Sequence, residues 1–221
     1  MKMITNLFSG EIIIDTDMVS SVIIENPSVF LGLIQNIYHS INGEEEGIIL
    51  SEDHTILKPS KVIEFVSTYV PFDVNEKRIL NKLISILEKE ALNEKNYYRT
   101  MELLAQIEQF VNNLSEGISC RIECTGCNPL SLIKMCGITV SDDSISDIER
   151  VFEYMMIVRE VLGEKLFVFV NMHSFFMLDE IQDFVNTVIA HNFYVLLLDS
   201  HEYGIMKHTR RLIVDQDLCV I

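Results

Sequence analysis

The sequence predicts an α/β fold with a mainly parallel sheet, and three segments carry that prediction. Residues 166–170 and 194–198 are short, unbroken apolar runs, which are typical of strands covered on both faces. Between them, over about residues 178–191, apolar side chains recur three and four positions apart, as in a helix that buries one stripe. Two strands joined by a helical crossover are most simply parallel neighbours, because the crossover carries the chain back over one face of the sheet.

The first 57 residues predict further strands and one helix. Strands are expected at 11–14 and 22–24, and a hairpin of edge strands within 48–57. Asn26 can cap a helix, and Pro27 suits the first helical position because an amide there has no intrahelical partner. We therefore expect a helix from Pro27 to about residue 41.

Residues 58–147 have a mostly helical pattern, and we predict that they form a helical leg inserted into an α/β head made of 1–57 and 148–221. Three helices are expected first: a short one, a second capped by Asn75, and a third that ends near Leu114. The apolar stripe of the short helix comprises Val62, Phe65, Val66 and Tyr69.

The leg is predicted to end in a small strand–helix element. A strand is expected at 118–123, then a short helix that Asn128 and Pro129 open and Gly137 ends. A strand fragment is expected at 138–140.

A last helix leads into the first apolar run. Ser144 and Asp147 have the spacing of a capping box, apolar residues then recur at helical intervals, and Gly163 ends the pattern.

The charge balance restricts which partners the protein can have. Its 221 residues include 33 acidic and 17 basic side chains, a formal net charge of −16. Broad phosphate binding is normally built from an excess of lysine and arginine, so a nucleic-acid role would need a local basic lining.

Cysteine usage and hydropathy indicate the compartment. Five cysteines are too few and too unevenly spaced for a disulfide scaffold, and the N-terminus has no apolar core of a secretory signal. The longest apolar passage is shorter than a membrane span. We therefore predict a cytoplasmic protein without a membrane partner.

Polar side chains follow both apolar runs: Asn171 and His173 after the first, Asp199 and His201 after the second. Open α/β sheets bind ligands outside the carboxyl ends of their strands, so these side chains are expected around one crevice. The two strand ends resemble the second half of a P-loop ATPase of the transporter class. However, Asn171 and Met172 stand where that class binds magnesium and polarises water.

The turn between the first buried strand and its helix argues against a nucleotide. A phosphate-binding loop needs glycines and a lysine, whereas residues 24–28 read Ile-Glu-Asn-Pro-Ser. Proline supplies no amide hydrogen, and Glu25 places a negative charge at the phosphate position. We expect no nucleotide, and we interpret His173 and His201 as structural hydrogen-bonding groups. The alternative is a divergent nucleotide hydrolase that uses Asp199 and His201.

Four cysteines form a C-x3-C-x2-C-x8-C set: Cys120, Cys124, Cys127 and Cys136. Zinc binds three or four thiolates or imidazoles in a tetrahedron, but this spacing matches no familiar zinc ribbon or finger. A zinc site and a group of reduced structural thiols are therefore both open.

Basic side chains gather where the helical section begins: Lys58, Lys61, Lys77, Arg78 and Lys82. An exposed helix face is the ordinary meaning of such a group, and a phosphate-contacting surface is the alternative. A second basic group lies near the C-terminus and comprises Lys207, His208, Arg210 and Arg211.

The order and spacing of several segments resemble one known family. They are residues 165–171, Asp179 with Glu180, residues 194–198 with Glu202, residues 72–75, and Ile133 with Lys134 and Gly137. Together they resemble Csn2, the ring-forming CRISPR adaptation protein of type II-A systems, loosely over the whole chain.

This resemblance implies a degenerate P-loop head assembled from both chain ends around a helical leg. It implies a homotetrameric ring that encircles double-stranded DNA and engages its ends without sequence preference. It further implies no catalysis, a role in spacer acquisition, and the CRISPR integrase pair and the type II effector nuclease as partners. The five cations listed above would then face DNA. An acidic scaffold that binds only proteins is the remaining alternative.

The metal site expected for this chain differs from the calcium site of the family. Csn2 proteins hold calcium with a carboxylate-rich segment, and in residues 119–127 of this chain only Glu123 matches a ligand. Calcium needs several oxygen ligands, so we do not expect it here. A softer metal such as zinc, held by Cys120, Cys124 and Cys127, would be the local substitute.

Overall fold

The computed structural model describes residues 1–44, 47–70, 72–115, 118–119, 126–141 and 146–221. The chain divides into two compact units: Met1–Phe72 with Asp143–Ile221, and Asp73–Asp142. The predicted leg began at residue 58, whereas residues 58–72 group with the first unit because they include a strand of its sheet. None of the described helices has both the length and the hydropathy needed to cross a membrane.

The strands are β1 (Lys2–Thr5), β2 (Glu11–Ile13), β3 (Val19–Ile24), β4 (Ile48–Glu52), β5 (Thr55–Leu57), β6 (Ile63–Val66), β7 (Leu166–Val170), β8 (Tyr194–Asp199) and β9 (Thr209–Val214). The helices are α1 (Pro27–Ile41), α2 (Pro59–Val62), α3 (Lys77–Ala91), α4 (Tyr97–Ser115), α5 (Pro129–Met135), α6 (Asp147–Leu162) and α7 (Leu178–Ala190). A 3₁₀ turn, Met172–Ser174, follows β7.

A five-stranded parallel sheet organises the first unit, in the order β6-β7-β8-β3-β9. β7 pairs with β8 in the register Val168↔Leu196, and α7 connects them, as the strand–helix–strand pattern predicts. The predicted α/β fold with a parallel sheet is confirmed. β9 was not predicted, because its two arginines looked like a basic surface group.

The two faces of the parallel sheet bury different layers. Leu166 and Val168 share a hydrophobic cluster with residues of α1 and of a second, antiparallel sheet. Phe167 and Phe169 point the other way, and the Phe169 ring lies 5.5 Å from that of Phe184 in α7. Side chains alternate along a strand, so covering both faces requires the unbroken apolar runs seen in the sequence.

The second sheet has the order β2-β1-β4-β5, with all three pairings antiparallel. The β4–β5 hairpin was predicted, although β4 is an inner strand. β1, a strand of four residues, was not predicted. Met3 of β1 and Leu50 of β4 are completely buried in the cluster shared with the parallel sheet.

The helix predicted from the stripe at 62–69 is wrong. α2 ends at Val62, and Ile63–Val66 is strand β6, paired with β7 in the register Phe65↔Val168. A short apolar run fits either a helix or a strand, and here pairing with the sheet decides.

In the second unit, Asn75 does not cap α3, which begins after Glu76. The Asn75 amide nitrogen donates to the carbonyl of Val140 at 3.1 Å, and its oxygen accepts from the Val140 amide at 2.7 Å. Residues 138–140 are therefore tied to Asn75 and do not form the predicted strand. Residues 118–119 are not in a strand, and 120–123 lie outside the described residues.

The predicted helix start at Asn128 and the predicted helix end at Gly163 are confirmed, whereas the cap of α6 lies at another residue. Asn128 Oδ1 accepts from the Ser131 amide at 2.8 Å, and Gly163 ends α6 at φ +85°. The capping box of α6 pairs Ser146 with Glu149, two residues later than predicted. Ser144 lies outside the described residues.

We predict that Phe169→Ala lowers the free energy of unfolding by about 3–5 kcal/mol, because it removes a fully buried ring between the sheet and α7. Urea unfolding followed by circular dichroism measures this. Ile56→Ala, at a side chain 74% exposed, is the control and should change stability by less than about 0.5 kcal/mol. Equal losses in the two variants would contradict the assigned core.

Candidate nucleic-acid interface

One side of α3 presents a row of cations. Arg78, Lys82 and Lys89 follow one another at intervals of four and seven residues, which places them on the same side of a helix. All three are exposed, and Ser85 is the other residue on this side. Lys77 precedes Arg78 and is also exposed. We call Arg78, Lys82, Ser85 and Lys89, with Lys77 beside them, the α3 basic face.

The α3 basic face has cations left for a ligand. Arg78 Nε donates to Glu76 Oε2 at 2.7 Å, so this guanidinium is partly engaged. Within the described part of the chain, neither Lys77 nor Lys82 forms an ion pair. Lys89 was not among the predicted DNA contacts. Its helical spacing from Lys82 was the signal that could have identified it.

The other two predicted cations lie in the first unit. Lys58 precedes α2 and Lys61 is within it; both are exposed, and Lys165 donates to the carbonyl of Lys61. Neither lysine is therefore part of the α3 basic face.

Two members of the C-terminal basic group, the arginines, form ion pairs within the first unit. Arg210 Nη1 contacts Asp15 Oδ2 at 2.6 Å, and Arg211 pairs with Glu202. Burial alone would raise the pKa of Asp15, but the hydrogen bonds from Arg210 and from the amides of Met18 and Asp17 hold it below its ordinary value. These arginines hold β9 in place.

The predicted metal ligands fall largely outside the described residues: Cys120, Glu123 and Cys124 all do. Cys127 has an exposed free thiol, and its amide donates to Glu108 Oε1 at 2.8 Å. Cys136 is also free and exposed. The described residues contain no group of three His, Cys, Asp or Glu side chains that could hold a metal ion. The zinc site stays a prediction.

The strand ends form a second site in the first unit. His173 Nδ1 lies 2.8 Å from Asp199 Oδ2, and the two side chains are 6% and 1% exposed. Asn171, at φ +52°, accepts from the Ser200 amide at 3.1 Å, which joins the turns after β7 and β8. His201 is exposed, and its Nδ1 contacts Oγ of the adjacent Ser200 at 2.8 Å. A structural role for the two histidines stays a prediction.

Two tyrosines that the sequence did not identify enclose this pair. The Tyr203 ring stacks on His173 at 5.1 Å, and its hydroxyl lies 3.0 Å from Ser174 Oγ. Tyr69 donates to the carbonyl of Val170. Burial raises the pKa of Tyr69 and the Asp199 charge raises it further, so Tyr69 stays a neutral donor. Both contacts join distant parts of the chain, which sequence patterns do not reveal.

The arrangement does not support the enzyme alternative. That hypothesis paired Asp199 with His201, whereas Asp199 contacts His173. At the β3–α1 turn, Asn26 Oδ1 accepts from the amides of Ser28 and Val29, and Asn26 Nδ2 donates to the carbonyl of Gln216 at 3.2 Å. The amides that would bind a phosphate are already engaged.

We predict that His173→Ala lowers the free energy of unfolding by about 3 kcal/mol, because Asp199 would be left as a buried, unbonded carboxylate. His201→Ala should cost less than about 0.5 kcal/mol. Adding Asp199→Asn to His173→Ala should recover part of the loss by removing the buried charge. Denaturant melts would contradict this account if the added substitution lowered stability again.

Comparison with known proteins places the chain in a family. A model of the family described as "CRISPR-associated protein (Cas_Csn2)" matches residues 40–218. A relative from Enterococcus faecalis, named CRISPR-associated protein Csn2, is 25% identical over 206 residues, which cover 92% of this chain and 91% of the relative.

A solved structure has a similar fold. The crystal structure of Stu0660 of Streptococcus thermophilus matches with a TM-score of 0.59 and 14% identity, covering 97% of this chain and 74% of that one. At this identity the likeness concerns the fold alone. The family match spans most of the chain, and the protein therefore belongs to the Csn2 family of CRISPR-associated proteins.

Proposed function

We propose that this protein binds the ends of double-stranded DNA without catalysis and without sequence preference, as a homotetrameric ring, during CRISPR spacer acquisition. Membership of the Csn2 family implies a role in CRISPR adaptation. The α3 basic face is the observation that supports DNA binding, because it is a row of exposed cations in a chain with a net charge of −16. Contacts to phosphates carry no sequence information, which fits binding without sequence preference.

The head is proposed to be a degenerate relative of the P-loop fold. In the parallel sheet, the first strand along the chain, β3, lies between the last two, β8 and β9. The β3–α1 turn is where such a fold would bind phosphate, and here it has no glycine or lysine. Asn26 engages the first amides of α1. We therefore propose that the protein takes no nucleotide and is not an enzyme.

Self-association is supported by α4. Leu103, Phe110 and Leu114 lie on one side of this helix, together with Ile107, and are 36%, 62% and 63% exposed. Large apolar side chains grouped on one exposed face mark an interaction surface. A second copy of the chain is the proposed partner of this face, and assembly would bring several α3 basic faces to one DNA.

The remaining proposals concern location and partners. We place the protein in the cytoplasm, with the CRISPR integrase pair and the type II effector nuclease as partners. Zinc at Cys120, Glu123, Cys124 and Cys127 is proposed in place of calcium. Metal analysis of protein purified without chelator would reject that proposal if neither metal is retained.

We predict that the triple variant Lys77→Gln, Arg78→Gln, Lys82→Gln weakens binding to a linear duplex by at least about tenfold near physiological salt. The slope of log affinity against log salt should become shallower by about 2–3, since each lost phosphate contact removes about 0.9. Fluorescence anisotropy over a salt series measures both quantities.

Lys2→Gln is the matched control, because Lys2 is exposed and already pairs with Glu11 at 2.8 Å. Its binding should match the parent protein. Unchanged binding in the triple variant would remove α3 from the interface, and the absence of any salt-dependent DNA binding in the parent would favour a protein-only scaffold. Saturable ATP binding would favour the hydrolase.

A second prediction concerns assembly. Phe110→Ser with Leu114→Ser should lower the mass measured by sedimentation, because it removes the apolar face of α4 while leaving the buried Leu104 in place. Ile56→Ser, which changes an exposed isoleucine in the first unit, should leave the mass unchanged. An unaltered assembly in the α4 variant would exclude this face as the interface.

A further inference from the structure

A groove runs between the beginnings of α6 and α7 in the first unit. Two adjacent cavities of about 290 and 330 Å³ share Ser146, Ile148 and Glu180 as lining residues. Together we call them the α6–α7 groove. It shares no residue with the α3 basic face or with the His173–Asp199 pair.

The floor of the α6–α7 groove is apolar. Ile148 lines both cavities, Phe152 and Phe184 line the first, and Phe175 and Phe176 line the second. The Phe175 side chain is 53% exposed and that of its neighbour Met177 is 72% exposed. Large exposed apolar side chains beside a groove are a feature of protein-binding surfaces.

The rim of the α6–α7 groove is negative. Its carboxylates belong to Asp147, Glu149, Glu180 and Asp183. Arg150 is the one cation among the described lining residues, and its Nη1 lies 2.7 Å from Asp147 Oδ1. The rim therefore carries a surplus of negative charge.

Two of these carboxylates are held in place. Glu149 accepts from the Ser146 amide at 3.2 Å and Glu180 from the Met177 amide at 2.8 Å, as the N-terminal caps of α6 and α7. Asp183 is exposed on α7, and its carboxylate bonds to none of the described residues. Fixed charges beside an apolar floor favour a ligand that supplies both complementary features.

We propose that the α6–α7 groove binds a basic amphipathic segment of a partner protein. An apolar side chain of that segment lies on Ile148 and Phe152, and flanking lysines or arginines contact Glu180 and Asp183. DNA is repelled by this rim, and a simple polyamine has no side chain for the floor. The proposal does not depend on DNA binding, since it concerns a different surface.

The test uses the full-length protein and a fluorescent peptide with lysine and leucine at helical spacing. This peptide should bind saturably and perturb the methyl NMR signals of Ile148 and Thr187, which line the groove. A peptide with serine in place of leucine, one with glutamate in place of lysine, and spermine should each bind at least about tenfold more weakly. Equal binding of the serine peptide or spermine would overturn the proposal in favour of charge attraction alone.

Asp183→Lys should lower the affinity for the lysine–leucine peptide by about tenfold, since it reverses one rim charge. Glu160→Lys is the matched control, because Glu160 is an exposed carboxylate of α6 that lines neither cavity. It should change the affinity by less than about twofold. Equal losses in the two variants, or no saturable binding by the parent protein, would overturn the proposal.

Discussion

The structure of the first unit depends on covering both faces of its parallel sheet. β7 and β8 are buried from end to end apart from Tyr194, so polar groups can lie only where these strands stop. Asp199 ends β8 and is itself buried, which requires a partner on a neighbouring strand end. His173 supplies it, and Tyr203 then packs on His173. The strand-end polar cluster is thus a consequence of the sheet.

The second constraint on function is the separation of positive and negative side chains over the protein surface. A chain with a net charge of −16 repels DNA at long range, but at physiological salt that repulsion is screened over about 8–10 Å. Short-range contacts from a surface rich in cations can then decide binding. α3 provides such a surface, whereas the arginines of β9 pair with carboxylates. At the α6–α7 groove carboxylates predominate instead, which gives the same protein a surface for cations.

The structural features that the sequence predicts best are those that neighbouring residues determine. The sequence alone identified the two apolar runs, the Asn26 cap of α1 and the end of α6 at Gly163, because each depends on residues close together in the chain. The sequence did not identify β6, because its short apolar stretch contains Glu64. This residue is buried and accepts a 2.6 Å hydrogen bond from Tyr154, which is ninety positions away in the chain. Tyr69 and Tyr203 were missed for the same reason, since long-range packing gives them their roles.

The claim that an acidic, assembled protein engages the ends of DNA is tested most directly by comparing DNA molecules with and without free ends. A linear duplex and a covalently closed relaxed circle of the same sequence would be compared for binding to the parent protein at physiological salt. The account predicts saturable binding to the linear form and little to the circle. Equal affinity for the two would contradict it, because binding along the side of the duplex needs no free end.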